Sequence, residues 1–310
     1  MPWQGTRDAY RIWLSEVMLQ QTQVAAVIPY YERFLQRFPT VQSLARAREE
    51  QVLRLWSGLG YYARGRNLHR ASRRVAQHGF PRTARAIAEL PGVGRSTAAA
   101  IAVFAYGERA AILDGNAKRV LARTFALGSD DELWRAAEGL LPNRDVETYT
   151  QALMDLGAAI CTRAKPRCGE CPVKADCIAH GQGSTDRFPA PREKRALPLR
   201  KVTWWVLLKN GRVLLEKRPS TGLWGGLLTF PEAADKGWRL ESRQKLPIIE
   251  HGFTHFRLRA RPILCTVQAL RQTSRQQWLA LERAPKAAMP TPVKQLLVRI
   301  RAGRASAGAR

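Results

Sequence analysis

Two carboxylates in the N-terminal half have the chemistry that cleavage of a glycosidic bond requires. Glu16 lies among apolar residues in WLSEVMLQQTQV, and Asp114 lies in ILDGN. A carboxylic acid held in an apolar site has a raised pKa and can act as a general acid near neutral pH. A second carboxylate can stabilise the oxocarbenium-like sugar that such a cleavage forms. The alternative for Glu16 is a solvated or capped helix residue.

A glycine-bearing turn, LPGVGRST, lies between these two carboxylates in the sequence. It leads into an apolar run of small residues, Ala98 to Ala105, which predicts a buried helix. The amides at a helix start are hydrogen-bond donors at the positive end of the helix dipole. Gly92 and Gly94 therefore predict a hairpin that holds a phosphate by main chain without reading sequence. The alternative is a helix–turn–helix corner with no ligand.

Four of the five cysteines fall within one short span as Cys161-x6-Cys168-x2-Cys171-x5-Cys177. In a protein without an export signal, such a group indicates metal ligands rather than disulfides. The spacing leaves both zinc and an iron–sulfur cluster open, because either accepts four thiolates. The fifth, Cys265, stands in an apolar strand-like run and is expected in the core.

The charge balance favours a polyanionic partner. The chain has 310 residues with 51 Lys and Arg against 25 Asp and Glu, a net charge of +26, which most simply indicates nucleic acid. The excess is spread over both halves, since residues 196–310 carry 22 basic and 6 acidic side chains. An anionic membrane surface is the rival, but no long apolar run or signal-peptide pattern supports insertion or export. We therefore expect a cytoplasmic protein.

The elements that position these residues change type along the chain. Periodicity predicts one helix over Arg7–Val27 and further helices to about residue 160. SGLGYYAR, at residues 57–64, is a glycine-loosened turn whose tyrosines suit stacking on bases. Residues 181–200 have the composition of a linker. Strands are predicted beyond it, with Asn210-Gly211 as a hairpin signal, followed by a helix from Pro292 to Arg301 and a disordered basic tail at 302–310.

Six blocks together resemble the MutY family of adenine DNA glycosylases, a branch of the helix-hairpin-helix and endonuclease III superfamily. They are WLSEVMLQQTQV, LGYYARGRNL, LPGVGRSTA with ILDGN, the four-cysteine loop, LWGGLLTFPE and HGFTHFRL. The resemblance covers nearly the entire chain. It implies a multidomain fold, with an all-α helix-hairpin-helix glycosylase domain over 1–180 that includes a [4Fe–4S] cluster loop at 161–177. It also implies a linker over 181–200 and an α+β Nudix-like lesion-recognition domain over 201–301.

The resemblance also implies roles for individual residues. Glu16 would protonate the adenine ring, Asp114 would stabilise the sugar cation or bond to it transiently, and Asn116 would support that site. Residues expected beside the mispaired 8-oxoguanine are Leu19, Gln21, Thr22, Leu59 and Tyr61. Those mapping to the adenine pocket are Trp3, Val24 and Gln151. Backbone contacts are expected from Gly92, Gly94 and Lys118, and the cluster ligands would be Cys161, Cys168, Cys171 and Cys177.

Two further positions separate related activities. Strand-cleaving relatives have a lysine where this sequence has Ser96, and a hydroxyl cannot form the Schiff base, so no lyase activity is expected. The segment PEAADKGWRL lacks the glutamate-dense element of a Nudix hydrolase. We therefore expect the C-terminal domain to read the lesion, through Phe253-Thr254-His255 in place of the family's Phe-Ser-His.

These expectations combine into a base excision repair enzyme. It would hydrolyse the N-glycosidic bond of adenine mispaired with 8-oxoguanine or guanine in double-stranded DNA, as a monomer acting on nucleoid DNA. The alternatives are a non-catalytic DNA-damage binder, which would need neither carboxylate, and a strand-cleaving lyase, which Ser96 opposes.

Overall fold

The computed structural model describes residues 1–190, 196–234, 237–270 and 272–307. Within them the chain forms two compact units. One contains residues 1–46 and 67–190, and the other contains residues 47–66 and 196–307. The division predicted from the sequence lay only at the linker and left residues 47–66 within the N-terminal domain.

Twelve α-helices occur in the described ranges. In chain order they are α1 (Ala9–Leu19), α2 (Val24–Arg37), α3 (Val41–Arg46), α4 (Glu49–Trp56), α5 (Tyr62–His78), α6 (Ala84–Ile87), α7 (Arg95–Tyr106), α8 (Gly115–Thr124), α9 (Asp130–Gly139), α10 (Val146–Asp155), α11 (Ile178–Gly181) and α12 (Thr291–Ala307). A π-helical turn, Leu156–Ile160, continues α10, and short 3-10 turns lie at Cys168–Glu170 and Ala284–Lys286.

The predicted single helix over Arg7–Val27 is wrong. Helix α1 ends at Leu19 and α2 begins at Val24, and Gln21 between them has a φ of 55°. An interior helical residue cannot hold that left-handed conformation. The break turns the amide-rich segment 20–23 into a loop.

Small residues let three helices of the first unit approach closely. Ala99 and Ala100 of α7 pack with Ala117 and Val120 of α8 and with Leu153 of α10. Because alanine side chains occupy little volume, the helix axes come near one another. This packing fixes the start of α8, which carries the ILDGN segment.

The second unit contains a mixed sheet. Its strands are β1 (Leu199–Lys209), β2 (Arg212–Lys217), β3 (Leu228–Thr229), β4 (Arg239–Lys245), β5 (Ile249–Gly252), β6 (Arg257–Ala269) and β7 (Gln276–Ala280). The order is β3-β2-β1-β6-β4, with β5 also paired to β6 and β7 to β2. Strands β1 and β6 run parallel, with Leu199 opposite Arg257. Cys265 is fully buried in β6, as predicted, beside Leu207 and Leu214.

The ends of the predicted linker and tail differ from the structure. Helix α11 reaches Gly181 and β1 begins at Leu199, so the described residues 182–190 and 196–198 are the irregular part. Residues 191–195 of the predicted linker lie outside the described residues. Residues 302–307 continue α12 instead of forming a disordered tail, because the alanines at 302, 305 and 307 favour a helix despite Gly303. Residues 308–310 lie outside the described residues.

Among the helices of the described ranges, none combines the length and the apolar character needed to cross a membrane.

Candidate active site

Helices α1, α8 and α10 of the first unit surround one large cleft. Its volume is about 1280 Å³, above the roughly 300–1,000 Å³ of typical small-molecule sites. Glu16, Asp114 and Asn116 all line it. The other predicted site residues on its wall are Trp3, Leu19, Gln21, Thr22, Val24 and Gln151. The cleft therefore brings together side chains from segments that are far apart in sequence.

Asp114 caps the N-terminus of α8. Its Oδ1 atom accepts hydrogen bonds from the backbone N–H groups of Asn116, at 3.0 Å, and Ala117, at 2.7 Å. These bonds place the side chain at the positive end of the helix dipole. The geometry fixes this negative charge at the cleft wall.

Glu16 has the opposite electrostatic environment. It projects from α1, whose neighbouring residues Trp13, Leu14, Val17 and Met18 are buried. Burial, and next the negative charge of Asp114, raise the pKa of Glu16 from 4.5 to about 7. The side chain is open to the cleft only in part, and surrounding protein removes most of its hydration. Glu16 can thus hold a proton near neutral pH in the same cleft as the amide-bound side chain of Asp114.

The cleft also contains side chains that the sequence analysis missed. Met154, Asp155 and Arg163 lie on its wall. Asp155 accepts a hydrogen bond from Nε2 of Gln151 at 2.9 Å, which orients that amide at the predicted adenine pocket. Met154 and Asp155 lie in an ordinary helical pattern, so no local signal marked them.

Arg119, another residue that was missed, ties the start of α8 to the cysteine loop. Its Nη2 atom donates to Oδ1 of Asn116 at 2.9 Å and to the carbonyl of Gly157, and its Nε atom donates to the carbonyl of Cys161 at 2.6 Å. The planar guanidinium reaches all three acceptors at once. Asn116 is therefore held by a fixed cation.

The predicted hairpin has the geometry of a main-chain anion site. Gly92 has a φ of 80°, and a Cβ there would lie 2.7 Å from Cβ of Asn67, so only glycine suits the turn. Gly94 is the N-cap of α7 and supplies no side-chain cap, which leaves the first amides of that helix to an external acceptor. Gly92 and Gly94 are both exposed.

Ser96 and Lys118 have partners within the first unit. The Oγ atom of Ser96 accepts the N–H of Leu113 at 3.1 Å, which secures the backbone next to Asp114. Lys118 forms a hydrogen-bonded ion pair with Asp130 at the start of α9. Gly92, Gly94, Ser96 and Lys118 lie outside the residues that line the cleft.

The four cysteines of the loop line one small cavity, separate from the cleft. Arg123 also lines it and is 3% exposed. Its guanidinium donates to the carbonyls of Thr162, Arg163, Thr185 and Phe188 and to Sγ of Cys161 at 3.4 Å. In the described part of the chain, no three His, Cys, Asp or Glu side chains form a ready-made site for a metal ion.

The remaining predicted residues belong to the second unit. Tyr61 is 47% exposed with a φ of 46°, and Leu59 is buried. Phe253, Thr254 and His255 form the turn between β5 and β6, in which Thr254 and His255 are exposed. Among the described residues between β3 and β4 there is no helix.

Family models match each half of the chain. Residues 14–142 match the HhH-GPD superfamily of base excision DNA repair proteins, and residues 203–299 match the NUDIX domain. The solved structure of a thermostable thymine-DNA glycosylase has a TM-score of 0.55 and 31% identity, over 59% of this chain and 88% of that one. These matches confirm the predicted fold class.

Relatives that match most of the chain identify the activity. The adenine DNA glycosylase of Buchnera aphidicola subsp. Acyrthosiphon pisum is 33% identical over 322 residues, covering 96% of this chain and 92% of the relative. The adenine DNA glycosylase of Homo sapiens is 47% identical over 281 residues, covering 73% of this chain and 52% of the relative. With the paired carboxylates in the cleft and both domain matches, the chain belongs to the MutY family of adenine DNA glycosylases, which remove adenine from DNA in base excision repair.

Proposed function

We propose that this chain removes adenine paired with 8-oxoguanine, or with guanine, and that it does not cut the strand. It acts as a monomer on double-stranded DNA of the nucleoid, in the cytoplasm. The observation that carries the proposal is the pair of unlike carboxyl groups in one cleft. Glu16 has a pKa raised to about 7, and Asp114 is held by the amides of α8.

The two carboxyl groups divide the reaction between them. Glu16 donates its proton to a ring nitrogen of the flipped adenine, so that the base leaves as the C1′–N bond breaks. The sugar becomes an oxocarbenium-like cation, which the charge of Asp114 stabilises directly or through a transient C1′–O bond. Water then adds to C1′, which breaks the C1′–O bond to Asp114 where that bond has formed. The proton that the water loses passes to the Glu16 carboxylate and restores the acid. The products are free adenine and an apurinic site.

Asn116 supports Asp114, and Arg119 holds the side chain of Asn116 in turn. Trp3, Val24 and Gln151 form the walls of the adenine pocket, since all three line the cleft. Leu19, Gln21 and Thr22 on the same wall contact the opposite base and its neighbours. Gly92 and Gly94 hold the DNA backbone, and Lys118 contacts a phosphate.

The second unit also takes part in recognition of the lesion. We assign Leu59 and Tyr61 to the gap beside the 8-oxoguanine, and Phe253, Thr254 and His255 to the lesion strand. The exposure of Tyr61 and Thr254 supports this assignment. Thr254 keeps the hydroxyl group of the family's serine.

The absence of strand cleavage follows from Ser96. A lyase needs an amine to form a Schiff base with C1′, and the hydroxyl of Ser96 is engaged with the backbone N–H of Leu113. Lys118 is paired with Asp130 and lies outside the cleft. Water is therefore the group that completes the reaction.

The four-cysteine loop suits a [4Fe–4S] cluster. The thiols line one cavity whose other walls include the apolar Val120, Leu156 and Val173 and the buried cation Arg123. Four soft sulfur donors beside a cation match an anionic thiolate cluster. When bound, the cluster would cross-link the loop and supply electron-transfer chemistry. Iron and sulfide near four each per chain, with broad visible absorbance, would support this assignment; stoichiometric zinc without iron would refute it.

A single-turnover reaction on a duplex with one adenine opposite 8-oxoguanine tests the function. We expect product that appears only after alkali, because alkali cleaves an apurinic site that the enzyme leaves intact. A parallel duplex with adenine opposite guanine tests the second partner. Strand cuts without alkali would show a lyase and refute the assignment of Ser96. Binding without any product would favour the non-catalytic binder.

A further inference from the structure

Gly157 lies in the π-helical turn Leu156–Ile160, directly behind the start of α8. A Cβ atom at this position would lie 2.7 Å from Cβ of Asn116 and 2.9 Å from both the Cα and the carbonyl carbon of Asn116. Two of these three atoms belong to the backbone, so a side-chain rotation could not relieve the overlap. The π-helical turn and the start of α8 touch backbone to backbone.

Asn116 transmits its position to Asp114. Its backbone N–H donates to Oδ1 of Asp114 at 3.0 Å, and Asp114 is the N-cap of the same helix. A displacement of the Asn116 backbone therefore moves one of the two amides that hold the carboxylate. Catalytic groups lose efficiency when misplaced by even about 1 Å.

Arg119 holds the contact together from the other side. Its Nη2 atom donates both to the carbonyl of Gly157 and to Oδ1 of Asn116. Because one guanidinium nitrogen binds both residues, the gap between them cannot widen without losing a hydrogen bond. The missing side chain at Gly157 thus determines how closely the start of α8 packs against the π-helical turn.

We propose that Gly157 is a positioning residue for glycosidic cleavage, because its lack of a side chain sets the place of Asn116 and, through it, of the Asp114 carboxylate. This inference rests on the role proposed above for Asp114. Gly157 is not among the residues that line the cleft, so we expect its effect to fall on the chemical step and not on recognition of the opposite base.

The test compares Gly157→Ala with Gly139→Ala, a matched helical control at which a Cβ would meet nothing within 4 Å. Single-turnover excision is measured on duplexes with adenine opposite 8-oxoguanine and opposite guanine. Binding is measured with a duplex that carries uncleavable 2′-fluoro-2′-deoxyadenosine at the target position. We expect Gly157→Ala to lower both rates by at least tenfold and by the same factor, with the dissociation constant within threefold of the parent. Gly139→Ala should match the parent.

Two results would overturn the proposal. One is a rate within twofold of the parent, and the other is a rate loss matched by an equal loss of binding, which would mean general damage. If the parent itself excised adenine from neither duplex, the proposed function would fail and not this inference alone. Should Gly157→Ala not fold, Arg119→Met is measured in its place, because it removes the hydrogen bonds that hold Asn116 against Gly157. A lowered excision rate with parental binding supports positioning through this contact, and a parental rate refutes it.

Discussion

The hydroxyl oxygens of Tyr61 and Thr254 lie 3.2 Å apart, within hydrogen-bonding distance, in the second unit. Tyr61 projects from a loop with a left-handed backbone, and the Arg64 guanidinium lies 5.3 Å from its ring centroid. Thr254 lies in a turn that is braced by Phe253 and Phe256, whose rings stack 4.4 Å apart. The bond therefore joins two loops that the sequence places almost two hundred residues apart.

This hydrogen bond should pre-position the tyrosine ring for the lesion. We expect Tyr61→Phe and Thr254→Val each to weaken binding to an 8-oxoguanine duplex by about 2- to 10-fold, the range of a hydrogen bond worth about 0.5–1.5 kcal/mol. The double variant should be no weaker than either single variant, and Thr254→Ser should bind like the parent. Equilibrium binding in a double-mutant cycle measures this coupling. Additive losses would show that the two hydroxyls act independently.

The raised pKa of Glu16 predicts the pH dependence of excision. A general acid must be protonated, and burial keeps Glu16 protonated up to about pH 7. The single-turnover rate should therefore be level below pH 7 and fall about tenfold per pH unit well above it. Glu16→Gln should abolish excision across this range while duplex binding remains. A rate that rises through pH 7 would contradict the role of Glu16 as the acid.

The same shift has a consequence for stability. Since the folded protein keeps a proton that the unfolded chain releases above pH 4.5, Glu16 makes folding less favourable as pH rises from 4.5 to about 7. Glu16→Gln removes this cost, so it should stabilise the protein at pH 8 by at most about 3 kcal/mol. Little difference is expected at pH 4. Denaturant unfolding at the two pH values measures the change in the free energy of unfolding caused by Glu16→Gln. An equal change at pH 4 and pH 8 would show that the proton on Glu16 does not affect stability.

The ion pair between Lys118 and Asp130 should compete with DNA. Asp130 is 69% exposed and Lys118 is 32% exposed, so breaking the pair should change the free energy of unfolding by only about 0–1 kcal/mol. Asp130→Asn frees Lys118 for a phosphate and should tighten duplex binding several-fold at low salt, with a steeper salt dependence. Asp131→Asn removes the same charge from the next residue and is the control. If both variants tightened duplex binding equally, the effect would come from net charge alone and not from the release of Lys118.

Arg123 should be essential to the cysteine loop. Its buried guanidinium saturates four carbonyls and contacts Cys161, and each buried acceptor left unpaired costs about 1–3 kcal/mol. We expect Arg123→Met to lower the free energy of unfolding by several kcal/mol and to reduce the iron content per chain. Lys165→Met, at an exposed position of the same loop, should change neither. Thermal unfolding and iron analysis measure the two effects. If Arg123→Met kept the unfolding temperature and the iron content of the parent, the role of Arg123 in the loop would be refuted.

Much of the molecule followed from local patterns. The glycine hairpin before α7, the strand-forming runs around Asn210-Gly211 and the burial of Cys265 each depend on a few consecutive residues. The resemblance of the motifs to the adenine DNA glycosylases was confirmed by relatives that span nearly the whole chain. Local sequence is informative for these features because turn geometry, helix starts and side-chain alternation are short-range properties.

Other features were decided only by tertiary packing. The break between α1 and α2 contradicts the local pattern, which predicted one continuous helix. Nothing in the local pattern indicated that residues 47–66 belong to the second unit. The pKa of Glu16 depends on burial and on the charge of Asp114. Asp114 reaches the same cleft because α8 packs against α7 and α10. Gly157 acquires its role only because Asn116 comes to lie against it. Contacts between distant segments, and the desolvation that they cause, are properties of the fold that no window of sequence contains.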